Sequence, residues 1–168
     1  MSLESDIKLL SRVRLFAGFE PDHLRLLAFG AEARALGQGT RLYRQDSLSD
    51  GGFVIVRGNV DLISGFNDGI ISSHGSGSLI GEMALITETR HAATAVATEN
   101  SEVLKITRPL FRRMLNEYPE LAMVLQQRIS QSVAEFTDKL DKIRAKLDHA
   151  SDLANRAAKK KTKVENPK

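Results

Sequence analysis

The 168-residue sequence predicts a mostly β protein with flanking helices: an antiparallel jelly-roll β-barrel followed by a long C-terminal helix. Three observations carry that expectation. Between residues 31 and 107, short runs rich in Val, Ile and Thr alternate with Gly, Asn, Asp and Ser at intervals of roughly 8–12 residues, as in sandwiches and jelly rolls. Two apolar-striped segments with helical spacing precede this region. Residues 120–158 hold no Gly or Pro and repeat their apolar positions by threes and fours.

Taken in order, residues 5–17 place Ile7, Leu9, Leu10, Val13, Leu15 and Phe16 on a short amphipathic helix and its exit. Pro21 and Asp22 suit the first turn of a second helix, where a missing N–H is harmless and negative charge meets the helix dipole; Leu24, Leu26, Leu27 and Phe29 form its stripe. Strands are expected at 31–36, 40–44, 52–57, 59–64, 69–73, 93–98 and 102–107, with Gly81–Ile86 as a single helical turn inserted between them. Arg108-Pro109 starts another short helix with Leu110, Phe111, Met114 and Leu115 inward. The last helix, about 120–158, would span roughly 57 Å at 1.5 Å per residue.

The seam of that helix runs through Ile129, Val133, Phe136, Leu140, Ile143 and Leu147, then weakens into Ala150, Ala154 and Ala157. A heptad seam of this kind points to a homodimeric coiled coil; the plainer reading is one amphipathic helix lying on its own domain. Glu135–Lys139 and Asp138–Lys142 are spaced for i,i+4 support, while Lys139 and Arg144 leave helix orientation unspecified by charge. Residues 159–168 are polar, lysine-rich and expected to be disordered. The expected division is therefore 1–118, 119–158 and 159–168.

Composition narrows the function classes. With 42% hydrophobic and 27% charged residues the chain reads as an ordinary globular protein, and zero cysteines exclude disulfides, thiolate catalysis and cysteine-ligated metals. The first residues lack the basic-then-apolar layout of a signal peptide, and no stretch approaches a membrane span, so a cytoplasmic location is expected. The net charge of +3 is uneven: residues 118–168 hold 11 Lys/Arg against 7 Asp/Glu. That leaves the body without a basic face and predicts no dedicated nucleic-acid-binding domain; the lysine run is a solvated tail or, alternatively, touches an anionic partner. His23, His74, His91 and His149 show no metal-ligand spacing, and no Walker loop or G-x-G-x-x-G occurs. Glu82 and Glu88 have no nucleophile or base beside them in sequence, so a binding module rather than an enzyme is expected, with no cofactor.

Residues 75–97 carry the chemistry. Gly81 permits backbone angles closed to other residues, and the helical turn after it is expected to leave the N–H groups near Met83, Ala84 and Leu85 free to meet an anion. Glu82 projects from the same turn and suits a sugar hydroxyl, while Arg90 and His91 stand at its far end, where a cation closes on a phosphate. Within a structural reading, Glu82 instead caps the turn.

Ile80-Gly81-Glu82-Met83-Ala84-Leu85-Ile86 followed by His91-Ala92-Ala93-Thr94 resembles the phosphate-binding cassette of the cyclic nucleotide-binding domain family. Leu15-Phe16-Ala17-Gly18, the run Gly39–Gln45, Phe53–Val60 with its Arg57-Gly58 turn, Arg108–Phe111 and Tyr118–Leu121 extend the similarity over residues 7 to about 135. The resemblance implies that Glu82 binds the ribose 2′-hydroxyl of cAMP or cGMP and that the Ala84 and Leu85 amides meet the cyclic phosphate. It also implies that occupation of the cassette moves the helices behind it to signal to a protein partner, and Ala92 leans towards cAMP. Gly81, Met83 and Ala93 complete the expected binding set with Arg90 and His91.

The chain departs from the family at its phosphate-binding arginine, where His91 stands, with Arg90 one place before it. A mostly neutral imidazole cannot supply the guanidinium fork, a loss of about 2–4 kcal/mol or roughly 30- to 1000-fold in affinity. Three readings follow. Arg90 reaches the phosphate after a one-residue shift; or the site takes a cyclic nucleotide weakly, or another nucleoside-type ligand; or it has lost its ligand and serves as a dimeric scaffold. Asp46, where the family has glycine, is expected to alter only the shape of its turn.

Overall fold

The computed structural model describes residues 2–164, apart from the side chains of Ile129, Ser132, Val133, Glu135, Phe136 and 161–164. Helix α1 (Leu3–Leu10) starts at a Ser2–Ser5 capping box, and a 3-10 turn (Arg14–Phe16) leads to α2 (Pro21–Gly30), with proline in its first turn. The strands are β1 (Glu32–Leu36), β2 (Arg41–Tyr43), β3 (Leu48–Ser49), β4 (Gly51–Arg57), β5 (Val60–Ile63), β6 (Ile70–His74), β7 (Leu79–Ile80), β8 (Thr89–Arg90), β9 (Thr94–Ala97) and β10 (Ser101–Thr107). Helix α3 (Met83–Ile86) sits between β7 and β8; α4 (Arg108–Glu117) and α5 (Pro119–Val164) follow β10. The seven expected strands are all present. The two-residue strands β3, β7 and β8 were not expected, because period-two alternation cannot show in two residues.

Two four-stranded sheets, ordered β1-β10-β4-β7 and β2-β9-β5-β6, and the ribbon β3-β8 make up the β region; every pairing is antiparallel and the sheets do not close. One core cluster joins the two large sheets: Leu36, Phe53, Ile55 and Val103 from the first meet Val60, Ala95 and Ala97 from the second, with Leu42, Tyr43 and Leu62 at its margin. Strand β10 is buried on both faces. By alternation, Leu104 and Ile106 face away from that cluster, and α4 packs on β10, α2 and α3. Phe16 and Phe111, both fully buried, have ring centroids 6.2 Å apart.

Two helical expectations need correction. Phe29 does not join the stripe of α2 but is 82% exposed; Leu24, Leu27 and Ala28 are the buried residues. Nor are residues 159–164 disordered, since α5 continues to Val164; residues 165–168 of the expected tail lie outside the described residues. The physical reason is that Ala157-Ala158 and the following lysines are good helix formers, and cations suit a helix C-terminus. Chain contacts separate two units, residues 1–123 and 124–168. Along α5, Leu140, Ile143 and Leu147 are exposed, and Asp138 and Lys142 form an ion pair at 3.0 Å. The expected seam side chains Ile129, Val133 and Phe136 lie outside the described residues. No helix among the described residues is long and apolar enough to cross a membrane.

Candidate ligand-binding cassette

Strand β7 pairs with β4, Phe53 opposite Ile80, and delivers the chain to Gly81. There φ is +75°, a left-handed conformation that selects glycine, while a Cβ would lie at an ordinary contact distance, 3.4 Å, from the Gly51 carbonyl oxygen. In α3, Ala84 and Leu85 are buried while Met83 is exposed. The amides of Ala84 and Leu85 are not free as expected: each donates at 3.1 Å, to the carbonyls of Gly81 and Glu82 respectively. The cause is the turn itself, which folds tightly enough after Gly81 to make i→i+3 bonds that consume the first donors of so short a helix. The Glu82 side chain is exposed at this turn and forms no cap bond.

The two candidate cations part company. Arg90 lies in β8, opposite Leu48 of β3, and its exposed guanidinium donates to the Asp46 carbonyl at 2.5 Å. Ribbon pairing thus holds Arg90 in a register without the one-residue shift. Asp46 keeps the left-handed conformation a glycine would take, at φ +63°, so the turn retains its shape at the cost of backbone strain. His91 is 8% exposed, and its backbone bonds both ways across the loop, N–H to the Ser47 carbonyl at 3.0 Å and carbonyl from the Asp46 N–H at 2.8 Å. Its ring stacks on Tyr43, centroids 3.5 Å apart and planes within 8°. Tyr43 in turn lies 5.7 Å from the Phe53 ring. Ala92 is exposed and Ala93 buried where β9 begins.

Burial lowers the His91 pKa below its usual 6.5, opposed by the nearby Asp50 carboxylate, and pushes the Tyr43 phenol up to about 12. The stacked imidazole is therefore neutral at pH 7. Folding excludes a proton from His91, so its contribution to stability is full above pH 6.5 and declines as pH falls from 6.5 towards the lowered folded-state pKa. Thermal melts from pH 7.5 to 5 are expected to show this decline, and His91→Phe to flatten part of it. An identical slope in both proteins would remove the assignment.

Three further residues shape the site and were missed as site residues by the sequence reading. Lys105, opposite Phe53 in the β4–β10 ladder, has a side chain only 11% exposed whose Nζ donates to Asp50 Oδ2 at 2.6 Å. This bond holds the Asp50 carboxyl below the usual carboxylate range. Arg108, the first residue of α4, donates from Nε to the Ala84 carbonyl at 2.7 Å and from Nη2 to the Ser49 carbonyl at 2.6 Å. Its backbone N–H reaches the Asp50 carbonyl at 2.8 Å. Lys105 was legible as a charge in the apolar run Val103-Leu104-Lys105-Ile106, where alternation turns it inward with Val103; nothing local in sequence announces the partners of Arg108.

An antiparallel double sheet with a glycine-led helical turn between strands, hydrogen-bonded to the helix behind it, is a β roll. The family model for the cyclic nucleotide-binding domain matches residues 33–118, and the chain belongs to that family. A solved cyclic nucleotide-binding-like protein from Brucella abortus is 42% identical, with 66% of this chain and 97% of that chain covered at a TM-score of 0.61. A cyclic nucleotide-binding domain from Methylobacillus flagellatus is 26% identical, covering 86% of this chain and 83% of that one at a TM-score of 0.66. Among curated proteins, lysophospholipase nte1 of Aspergillus terreus is 24% identical over 136 residues, 79% of this chain. The chain spans 9% of that relative's length.

Proposed function

We propose that the chain is a regulatory module that binds cAMP or cGMP weakly in the cassette led by Gly81 and Glu82, and passes its state to the helices that follow. The carrying observation is Arg108: from the first residue of α4 it grips the carbonyl of Ala84 in the cassette turn and that of Ser49 in the β3–β8 ribbon. A ligand that displaced α3 would have to pull on that grip. Weak binding follows from His91, neutral and stacked on Tyr43 where the family places a guanidinium. Binding also requires the Ala84 and Leu85 amides to exchange their turn carbonyls for phosphate oxygens.

The test is a calorimetric titration with cAMP and with cGMP. Saturable but weak binding is expected, tightened by His91→Arg. Silence from both proteins with both nucleotides would favour the second reading, an interaction module in which the Tyr43–His91 stack and the inward-turned amides fill the site permanently. The lysophospholipase likeness covers this segment alone, so no catalysis is assigned to the chain.

The output element in this proposal is a homodimer through α5. Leu140, Ile143 and Leu147 lie at i, i+3 and i+7 on that helix and are about half exposed or more. A second copy covers such a stripe by knobs-into-holes packing. Light scattering of the purified chain is expected to give a dimer and Leu140→Asp a monomer; an unchanged mass for the variant would remove the seam.

A further inference from the structure

We infer that Lys105 is the cation of the cassette, held in reserve by Asp50, and that a small monoanion such as a cyclic phosphodiester gains it by displacing the Asp50 carboxylate. This rests on the proposed reading of the cassette as an anion site and names the group that replaces the missing guanidinium. The placement comes from register. Lys105 lies across the ladder from Phe53, Phe53 meets Tyr43, and Tyr43 stacks on His91, which is the residue at the family's arginine position. The Lys105 ammonium is held on Asp50 at 2.6 Å, and the Asp50 carboxylate is close enough to His91 to act on its charge. Asp50, one residue before Gly51, stands beside the cassette, because the Gly51 carbonyl faces Gly81.

The pair is asymmetric. The Lys105 side chain is 11% exposed, whereas that of Asp50 is 68% exposed. A desolvated ammonium needs an anion at all times, because an unpaired buried charge is costly. A largely hydrated carboxylate, by contrast, swings into water with little loss. An incoming anion therefore exchanges with Asp50 at constant local charge, and the ammonium, a point charge without a fork, suits one negative oxygen. Asp50 acts as an internal competitor: if it holds Lys105 nine times in ten, apparent affinity is about tenfold below intrinsic affinity.

Calorimetry with cAMP on the full chain tests this, alongside thermal melts that verify folding. Asp50→Asn is expected to tighten binding about tenfold. Lys105→Gln should abolish binding, Asp50→Asn/Lys105→Gln should follow Lys105→Gln, and Lys105→Arg should retain it. Should Lys105→Gln prove unfolded, the Asp50→Asn and Lys105→Arg results decide alone. If His91→Arg tightens binding while Asp50→Asn leaves it unchanged, the reserve-cation inference is overturned and the proposed function stands. If Asp50→Asn tightens binding and His91→Arg does not, the inference stands and the guanidinium argument falls. No heat from any of these proteins overturns both.

Discussion

Replacing His91 with arginine is expected to tighten cyclic nucleotide binding by roughly 30- to 1000-fold, the equivalent of about 2–4 kcal/mol for a recovered charge-assisted pair. Geometry and electrostatics agree on the direction. The imidazole lies flat on Tyr43 and is neutral because burial lowers its pKa, so it meets an anion with one ring N–H at most. A guanidinium is also planar and can take the same seat over the phenol ring, now with a cation–π contribution, while its fork reaches beyond the stack. The free protein should respond in the opposite sense. A permanent charge at a position 8% exposed finds only the Asp50 carboxylate, already bonded to Lys105, until a phosphate arrives, so the unliganded variant should melt a few degrees lower. Saturating cAMP should then raise its melting temperature well above that of liganded wild type, as mass action requires. His91→Lys separates charge from fork, and a gain much smaller than arginine's is expected. Equal affinities for wild type and His91→Arg would show that the family geometry at this position is not reproduced here.

Much of the fold was legible because its signals are local or periodic. Val54, Ile55 and Val103 to Ile106 announce strands buried on one or both faces, and Pro21 and Pro109 mark helix starts. The helical turn over residues 81–86 was legible from Gly81, whose φ of +75° suits glycine. What escaped was set by distance along the chain. The ribbon pairing of Ser49 with Thr89 spans two short loops and leaves no pattern, yet it fixes Arg90 on the outside. The amides of Ala84 and Leu85 were expected to be open because a helix start has spare donors; four residues are too few to keep them spare. Phe29 shows the reverse limit. A stripe drawn from sequence includes every apolar residue near the right angle, and only tertiary packing tells which of them meets a neighbour.

Removing the Arg108 side chain is expected to have the largest effect on stability, about 3 kcal/mol, or roughly a 10 °C fall in melting temperature for a body of this size. The Arg108 side chain is 12% exposed and makes two hydrogen bonds to backbone carbonyls, those of Ala84 and Ser49. Its approach to Glu88 adds little, at 4.0 Å from a carboxylate that is almost fully hydrated. Arg108→Lys should recover only part of the loss, because one ammonium on a flexible stem serves one carbonyl well and cannot span both. The effect should also be local in a way that a general core defect is not. Hydrogen exchange in Arg108→Ala should speed at the Ala84, Leu85 and Thr87 amides of the cassette turn and at His91, whose amide bonds to Ser47 beside the clamp. Amides in the β4–β10 ladder should keep their protection, since that pairing does not pass through Arg108. A change in melting temperature below about 2 °C, or faster exchange spread evenly over the sheets, would mean that cassette and helix are not joined at this residue. The same variant separates binding from output. If Arg108 is the link, Arg108→Lys still takes up cAMP, but the ligand no longer changes exchange in α4.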